Sequence, residues 1–381
     1  MHFFENNDIT STIYQQAISL SISKSFAEQR RGKVNFVDFQ GSEQENRRRK
    51  LLSVEETARQ EKMVADHGKE HFRQQVMTTF FAQVNKQVNE EFDNKAYLYT
   101  SVLNIEEEAP TILELLSLRA TSINKIKPLA TSLPWLATDL ISLVNKPQYR
   151  KRADVQVNDA KLALSYIGLD NLKLVMPTFL LKHWLPRSSA PFNLMKRKLW
   201  NDSLSIALAS SVLAEHSGAN TYIAFTTGML SNLGQLAITR CFLNTYNRMY
   251  QQELRDAFDA KDKPLHDILV KIENPPELLL EQLVLRSSKL SAELVEFMNF
   301  DRLPITEPMF DLAYADTIDK MCPMAQIVTK AKVYVCYRNL AKDNLINTKE
   351  ALSLFESAKL SKAEITLLKK SDIDHIKLKF N

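Results

Sequence analysis

Histidines with carboxylate or histidine neighbours are the residues of this sequence that could hold a catalytic metal ion. His67 and His71 stand four residues apart in DHGKEH, so both side chains could lie on one face of a helix. This spacing occurs in zinc sites, but such a site needs at least a third ligand. Gly68 also weakens the helix between the two histidines. We therefore interpret His67 and His71 as residues of a solvated helix face.

A literal His-Asp dipeptide occurs once, at His266 and Asp267 in KPLHDILVKI. Imidazole and carboxylate are the donors that metal-dependent hydrolases use to activate water. However, Pro264 marks a helix start just before the pair, and an aspartate in a first helical turn is favoured by the helix dipole alone. We therefore predict that this pair has a structural role.

Other catalytic patterns are missing from the sequence. With 7 glycines in 381 residues, no phosphate-binding loop, dinucleotide motif or serine nucleophile elbow is present. The three cysteines form no CxxC pair, which favours free thiols in a reducing compartment. The first residues lack the apolar core of a signal peptide, and no run of about 18 apolar residues occurs. We expect a cytoplasmic protein without a membrane contact.

The elements that position these residues are predicted to be helices. Hairpins and sheet edges consume glycine, so the few glycines favour an all-α chain. The net charge of +4 is mildly basic, which makes nucleic acid an unlikely partner. The periodicity divides the chain into an N-terminal amphipathic segment with a polar basic linker (1–50), a long helical segment (51–104), a main domain (105–325) and a lysine-rich helical extension (326–381). The basic run at 47–50 has no role that the sequence identifies.

Several local signals refine this prediction. Ser53 and Glu56 have the spacing of a capping box, and so do Ser361 and Glu364. Gly168 fits the end of a helix, where a backbone with positive φ is needed. An apolar stripe on the long helical segment predicts a contact with the core or with another helix, through Met77, Phe80, Phe81, Val84 and Val88.

The order of motifs in the main domain resembles the HDOD family, a divergent branch of the HD superfamily of metal-dependent phosphohydrolases. The motifs are LATSLPWLATDLISLVN, AKLALSYIGLDNL, LWNDSLSIALASSVLA, GMLSNLGQLAI and LAYADTIDK, which together span about residues 105–325. The resemblance implies an HD-domain-like helical array in two packed lobes, with the junction near residues 186–200. Extra helices flank the array at both ends.

The resemblance also implies where catalytic relatives hold their metal. The expected histidine is Asp202, the expected His-Asp pair is Ser231 and Asn232, and the last acidic position is kept as Asp316. Gln235 replaces a lysine that often follows the pair. Hydroxyl and amide groups are poor ligands beside imidazole and carboxylate, so we expect degenerate positions and no cofactor. An oxygen-only site for Mg²⁺ at Asp202, Asn232 and Asp316 is the alternative.

The resemblance thus implies a non-catalytic signal-transduction or regulatory scaffold of bacterial type, a pseudoenzyme that acts through a protein partner. The flanking helices 51–95 and 330–370 are the expected surfaces for that partner or for self-association. Two alternatives remain: a metal-dependent phosphohydrolase with an altered ligand set, and a module that senses a nucleotide or a nucleic acid. Residues 47–50 would contribute to the second alternative.

Overall fold

A computed structural model describes residues 8–32, 53–149, 156–187 and 190–380, with side-chain positions for these ranges except at residues 8 and 53–66. The regular structure within these ranges is helical, and they contain no β-strand. None of the described helices is long and apolar enough to cross a lipid bilayer. The predicted all-α class is confirmed.

Three helices precede the first lobe: α1 (Asp8–Ile22), α2 (Lys24–Arg30) and α3 (Ser53–Asp93). Ser23 separates α1 from α2, and its hydroxyl accepts a hydrogen bond from the N–H of Phe26 at 3.4 Å. Such a cap satisfies a donor that a helix start leaves without a partner. The basic run at 47–50 lies outside the described residues.

The first lobe is a series of short helices: α4 (Lys95–Tyr97), which continues into a π-helical turn (Leu98–Val102), α5 (Glu108–Ser117), α6 (Ile123–Ser132), α7 (Pro134–Val144), α8 (Ala160–Ile167) and α9 (Leu169–Trp184). Gly168 separates α8 from α9 with φ of +77°, as the sequence predicted. An L side chain rarely adopts this backbone conformation, so glycine permits the sharp change of direction.

The second lobe combines long helices with shorter ones: α10 (Met195–Ser217), α11 (Thr221–Leu230), α12 (Leu233–Asp259), α13 (Lys263–Leu269), α14 (Pro276–Phe297), α15 (Thr306–Tyr314), a 3₁₀ turn (Ile318–Lys320), α16 (Pro323–Lys342), α17 (Thr348–Ser357) and α18 (Lys362–Lys370). The predicted capping box of Ser361 and Glu364 is present at the start of α18. Helix α10 packs against both α11 and α16, so these three helices form the centre of the lobe.

Helices α12 and α14 approach each other at Gly234. A Cβ atom at this position would lie 2.0 Å from the carbonyl oxygen of Ser287 and 2.7 Å from the backbone nitrogen of Ser291. The N–H of Gly234 donates instead to the hydroxyl of Ser291 at 2.8 Å. Only a residue without a side chain permits this contact, which fixes the first turn of α12 in place.

The two ends of the described chain pack on different lobes. Helix α1 contacts α14, α16 and α17. After α18 the chain runs without regular structure to the first lobe, where the amide of Asn171 exchanges two hydrogen bonds with the backbone of Lys379 (2.8 and 3.0 Å). The ring of Phe380 lies 4.8 Å from that of Tyr149 and 5.3 Å from that of Tyr166. The C-terminal segment therefore ties the two lobes together.

The long helix α3 has two different halves. Its second half carries the predicted apolar stripe, in which Phe80, Val84 and Val88 are buried, and this half packs against α12. Residues 67–75 of its first half are all exposed. The stripe is confirmed as a core contact, whereas residues 67–75 are exposed.

Candidate functional site

A cleft of about 710 Å³ lies between α1, α10, the start of α12 and α16. We call it the central cleft, and we call its polar inner part, formed by Asn232, Gln235 and Lys332, the floor. Asp202 on α10 also lines it, so the cleft contains two of the positions that the sequence singled out. The C-terminal segment contributes Asp374 and His375 to its rim.

Asp202 is held by neutral hydrogen-bond donors. The Nδ2 atom of Asn339 donates to Oδ1 at 2.7 Å, and the hydroxyl of Ser21 lies 3.4 Å from Oδ2. Burial raises the pKa of Asp202 to about 6, although the hydrogen bond from Asn339 and the charge of Lys198 oppose this shift. A carboxylate in this environment is a weaker anion than a surface aspartate.

Ser231 and Asn232 form the turn between α11 and α12, and both are buried. The hydroxyl of Ser231 donates to the carbonyl oxygen of Gly228 at 2.8 Å, as at a helix end. The Nδ2 atom of Asn232 lies 3.4 Å from the hydroxyl of Ser203. The side chain of Ser231 therefore serves the local fold, and only the Oδ1 atom of Asn232 remains to face the cleft.

The partner of that oxygen is an ammonium group. The Nζ atom of Lys332 on α16 donates to Oδ1 of Asn232 at 3.1 Å and to the carbonyl oxygen of Ser231 at 3.2 Å. Burial alone lowers the pKa of Lys332 to about 7, and no carboxylate forms an ion pair with it among the described residues. Thus a buried amine whose charge has no counter-charge lies against the Ser231–Asn232 pair.

The sequence prediction did not identify Lys332, because it lies in the segment interpreted as a C-terminal extension. A signal was nevertheless present in VTKAKVYVC, where Lys332 lies between Val328 and Val335 on one face of a helix. Both valines are buried. A lysine within an otherwise apolar helix face marks a polar group directed at the protein interior.

Asp316 does not join the other degenerate positions. It precedes the 3₁₀ turn, its carboxylate accepts a hydrogen bond from Lys320 at 2.8 Å, and its side chain is 47 % exposed. It is not among the residues that line the central cleft. Asp316 therefore does not line the cleft together with Asp202 and Asn232, and the alternative of an Mg²⁺ site at these three residues stays a prediction.

The donors present do not fit a divalent metal ion. Within the described ranges, no group of three or more His, Cys, Asp and Glu side chains could hold one. His67 and His71 are exposed on α3, and the pair of His266 and Asp267 lies on α13, outside the central cleft. Asp202 contributes one carboxylate, and the oxygen of Asn232 already accepts from a cation.

Gln235 is a second polar group of the floor. It lies one helical turn into α12, retains 9 % of its surface exposure and lines the cleft. Among the described residues its side-chain amide has no hydrogen-bond partner, while its backbone carbonyl accepts from Thr239 at 2.7 Å. The amide is therefore free to bind water or a ligand from the cleft.

Comparison with known proteins identifies the family of the main domain. Residues 104–275 match the model of the HDOD domain, and none of the curated proteins matches the chain. Similar solved structures include two from Shewanella amazonensis. One is a candidate phosphohydrolase with 14 % identity, TM-score 0.46, covering 74 % of this chain and 92 % of that chain. The other is a candidate metal-dependent phosphohydrolase with 14 % identity, TM-score 0.40, covering 77 % and 99 %.

A response regulator from Methylococcus capsulatus is also similar, with 18 % identity and TM-score 0.30, and the match covers 69 % of this chain and 95 % of that chain. The family match ends at residue 275, so α16 with Lys332 lies beyond it. The motif order and the family model agree over the segment that supplies Asp202, Ser231 and Asn232. Residues 104–275 of the chain therefore match the HDOD domain family.

Proposed function

We propose that this HDOD domain is a non-catalytic regulatory module that acts through protein contacts in a signalling pathway. The observation that carries the proposal is the position of Lys332, whose ammonium lies 3.1 Å from the oxygen of Asn232. In catalytic relatives the corresponding pair would bind the metal ion, as the family resemblance implies. Here the pair faces a cation that the chain itself supplies.

This arrangement opposes metal binding. A divalent ion coordinated by Asn232 would lie within a few ångströms of the ammonium of Lys332. While Lys332 is protonated, two like unit charges 4 Å apart repel by about 4 kcal/mol at an effective dielectric constant of 20, and a divalent ion roughly doubles this cost. Because the pKa of Lys332 is about 7, the repulsion is largest below neutral pH. A neutral amide oxygen is too weak a ligand to offset the repulsion.

A general base for hydrolysis is also poorly supported. His375 at the rim pairs with Asp372 at 3.1 Å on the C-terminal segment, and Asp202 is the carboxylate nearest the floor, already hydrogen-bonded to Asn339. Both groups are thus engaged with neighbouring residues, whereas water activation without a metal requires a base that is free to accept a proton. These contacts favour the regulatory role over a phosphohydrolase with an altered ligand set.

The proposed partner surface is the exposed segment 67–75 of α3. Residues 67–75 have no buried side chain, and Phe72 within them is 38 % exposed. The other predicted surface, 330–370, is only partly available, because α16 packs against α10 and α11. A regulatory contact is therefore expected on α3 and on the outer faces of α17 and α18.

The test is the metal content and phosphodiesterase activity of the full chain, produced with added Mn, Fe, Ni and Zn. We expect less than one tenth of an equivalent of any of these metals, and no hydrolysis of bis-(p-nitrophenyl) phosphate above a buffer blank. The Asp202→Ala, Asp316→Ala double variant is the matched control. A full equivalent of metal that this variant loses, together with turnover, would overturn the proposal.

A further inference from the structure

We propose that the central cleft is a binding site for a small organic phosphate, held at its anionic end by Lys332 and Lys198 and not by a metal ion. The inference rests on the proposed function only in that the ligand is bound and not hydrolysed. Such a ligand would be the signal that the regulatory module reads.

The first support is the charge of the buried lysines. Lys332 and Lys198 both line the cleft, and neither forms an ion pair within the described residues. Lys198 donates to the backbone carbonyl of Leu20, and Lys332 donates to the oxygens of Ser231 and Asn232. Carbonyl and amide oxygens satisfy these donors. The charge of Lys198 is attracted by Asp202 and Asp343, whereas no carboxylate compensates that of Lys332 among the described residues. A buried charge without a counter-charge is costly, and a bound anion removes that cost.

The second support is the neutral amide of Gln235. This side chain is 91 % buried, since it retains 9 % of its exposure, and it lines the same floor as Lys332. Its amide has no partner in the described part of the chain, so it can donate to a phosphate oxygen or accept from a ligand hydroxyl. The floor also contains the start of α12, a helix of 27 residues whose N-terminus favours an anion.

The third support is the excess of positive charge among the residues that line the cleft. The cleft is lined by six lysine and arginine residues and three aspartates. Lys24 pairs with Asp343 at 2.7 Å and Arg338 with Asp374 at 2.9 Å. Arg197 and Lys342 are exposed at the rim and have no ion pair among the described residues. This surplus of cations would attract a dianion more strongly than a carboxylate with a single charge.

The shape and the walls favour an organic ester over the bare ion. A volume of about 710 Å³ is typical of a pocket for a whole small molecule. The lining of the cleft also contains an apolar part that comprises Ile18, Leu20, Leu194, Ile206 and Val335. An inorganic phosphate ion would leave this part hydrated, whereas the carbon skeleton of an ester would cover it.

The experiment is isothermal titration of the full chain at pH 6.5, with inorganic phosphate, glycerol 3-phosphate and adenosine 5′-monophosphate as probes. Glycerol and adenosine are the neutral controls. We expect at least one ester to bind once per chain, at least tenfold more tightly than inorganic phosphate and than its own neutral control. Phosphate that binds as tightly as both esters, or the absence of saturable binding for all three probes, would overturn the inference.

Three variants locate the site. Lys332→Met keeps the length of the side chain and removes its charge, and Arg197→Ala changes an exposed rim residue that does not support the fold. We expect the first to weaken ester binding at least tenfold and the second about threefold, since a rim charge is more strongly screened. Lys369→Met, at an exposed position on α18, is the matched control and should leave binding unchanged. Equal affinity in all variants would place the ligand elsewhere and refute the proposal.

The fate of the ester separates the two proposals. Mass spectrometry after overnight incubation should show intact ester, as a binding site without catalysis requires. Saturable binding followed by hydrolysis would leave the cleft assignment standing and refute the non-catalytic function. Intact ester without saturable binding would refute the cleft assignment and leave the non-catalytic function standing.

Discussion

The ammonium of Lys332 and the amide oxygen of Asn232 meet 3.1 Å apart at the floor of the central cleft. The two residues are 100 positions apart in the chain, on α16 and at the start of α12. The family resemblance predicts that Asn232 takes the place of a metal ligand, and in this structure its oxygen accepts from an ammonium group. The effects of the buried groups and close contacts of this structure on stability can be measured.

The charge of Lys332 should make stability depend on pH. Its pKa is about 7 in the folded protein and 10.5 ordinarily, so between these values the unfolded chain binds more protons and the stability of the folded state rises with pH. Lys332→Met lacks this group. We expect the free energy of unfolding of the wild type, relative to that of the variant, to increase between pH 7 and pH 9.5 in urea titrations. A constant difference over this range would contradict the burial of the amine.

The carboxyl group of Asp202 should make the stability of the fold decrease as the pH rises, in contrast to the amine of Lys332. Its pKa rises from 3.8 to about 6 on folding, so between these values the folded chain binds more protons and this group stabilises the fold less as the pH rises. Asp202→Asn removes the charge but keeps an oxygen to accept from Asn339. The variant should gain on the order of 2–3 kcal/mol relative to wild type between pH 4 and pH 7. Asp170→Asn, at an exposed position on α9, should show no such gain.

Gly234 should tolerate no side chain, because a Cβ atom would lie 2.0 Å from the carbonyl oxygen of Ser287. Gly234→Ala should therefore lower the free energy of unfolding by roughly 3 kcal/mol or more, since α12 and α14 must separate. Gly68→Ala is a matched control on α3, where an added Cβ meets no atom within 4 Å. It should instead stabilise the helix by about 0.5–1 kcal/mol. Similar losses in both variants would show that α12 and α14 are not in close contact at Gly234.

The C-terminal segment should be released when Asn171 is changed. The amide of Asn171 exchanges two hydrogen bonds with the backbone of Lys379. Asn171→Ala removes both, so we expect at least tenfold faster amide hydrogen exchange in residues 374–380 by mass spectrometry. Asp170→Ala, the adjacent exposed position, should leave this exchange unchanged. Unaltered exchange in the Asn171 variant would mean that the ring contacts of Phe380 suffice to hold the segment.

Local sequence patterns were sufficient for the elements of the fold. The scarcity of glycine predicted helices, Pro134 lies in the first turn of α7, and Ser361 with Glu364 forms the predicted capping box. These signals succeed because each depends on residues a few positions apart, whose backbone geometry is decided within one or two helical turns. The motif order likewise located Asp202, Ser231 and Asn232, two of which line the central cleft.

The composition of the floor was decided only by the tertiary structure. The sequence assigned the last acidic position to Asp316, but that residue pairs with Lys320 at the surface, and Lys332 reaches Asn232 instead. Helical periodicity shows which face of α16 is apolar, but it does not show which distant helix that face meets. That choice depends on how α12 and α16, which are about 100 residues apart, pack in the folded protein.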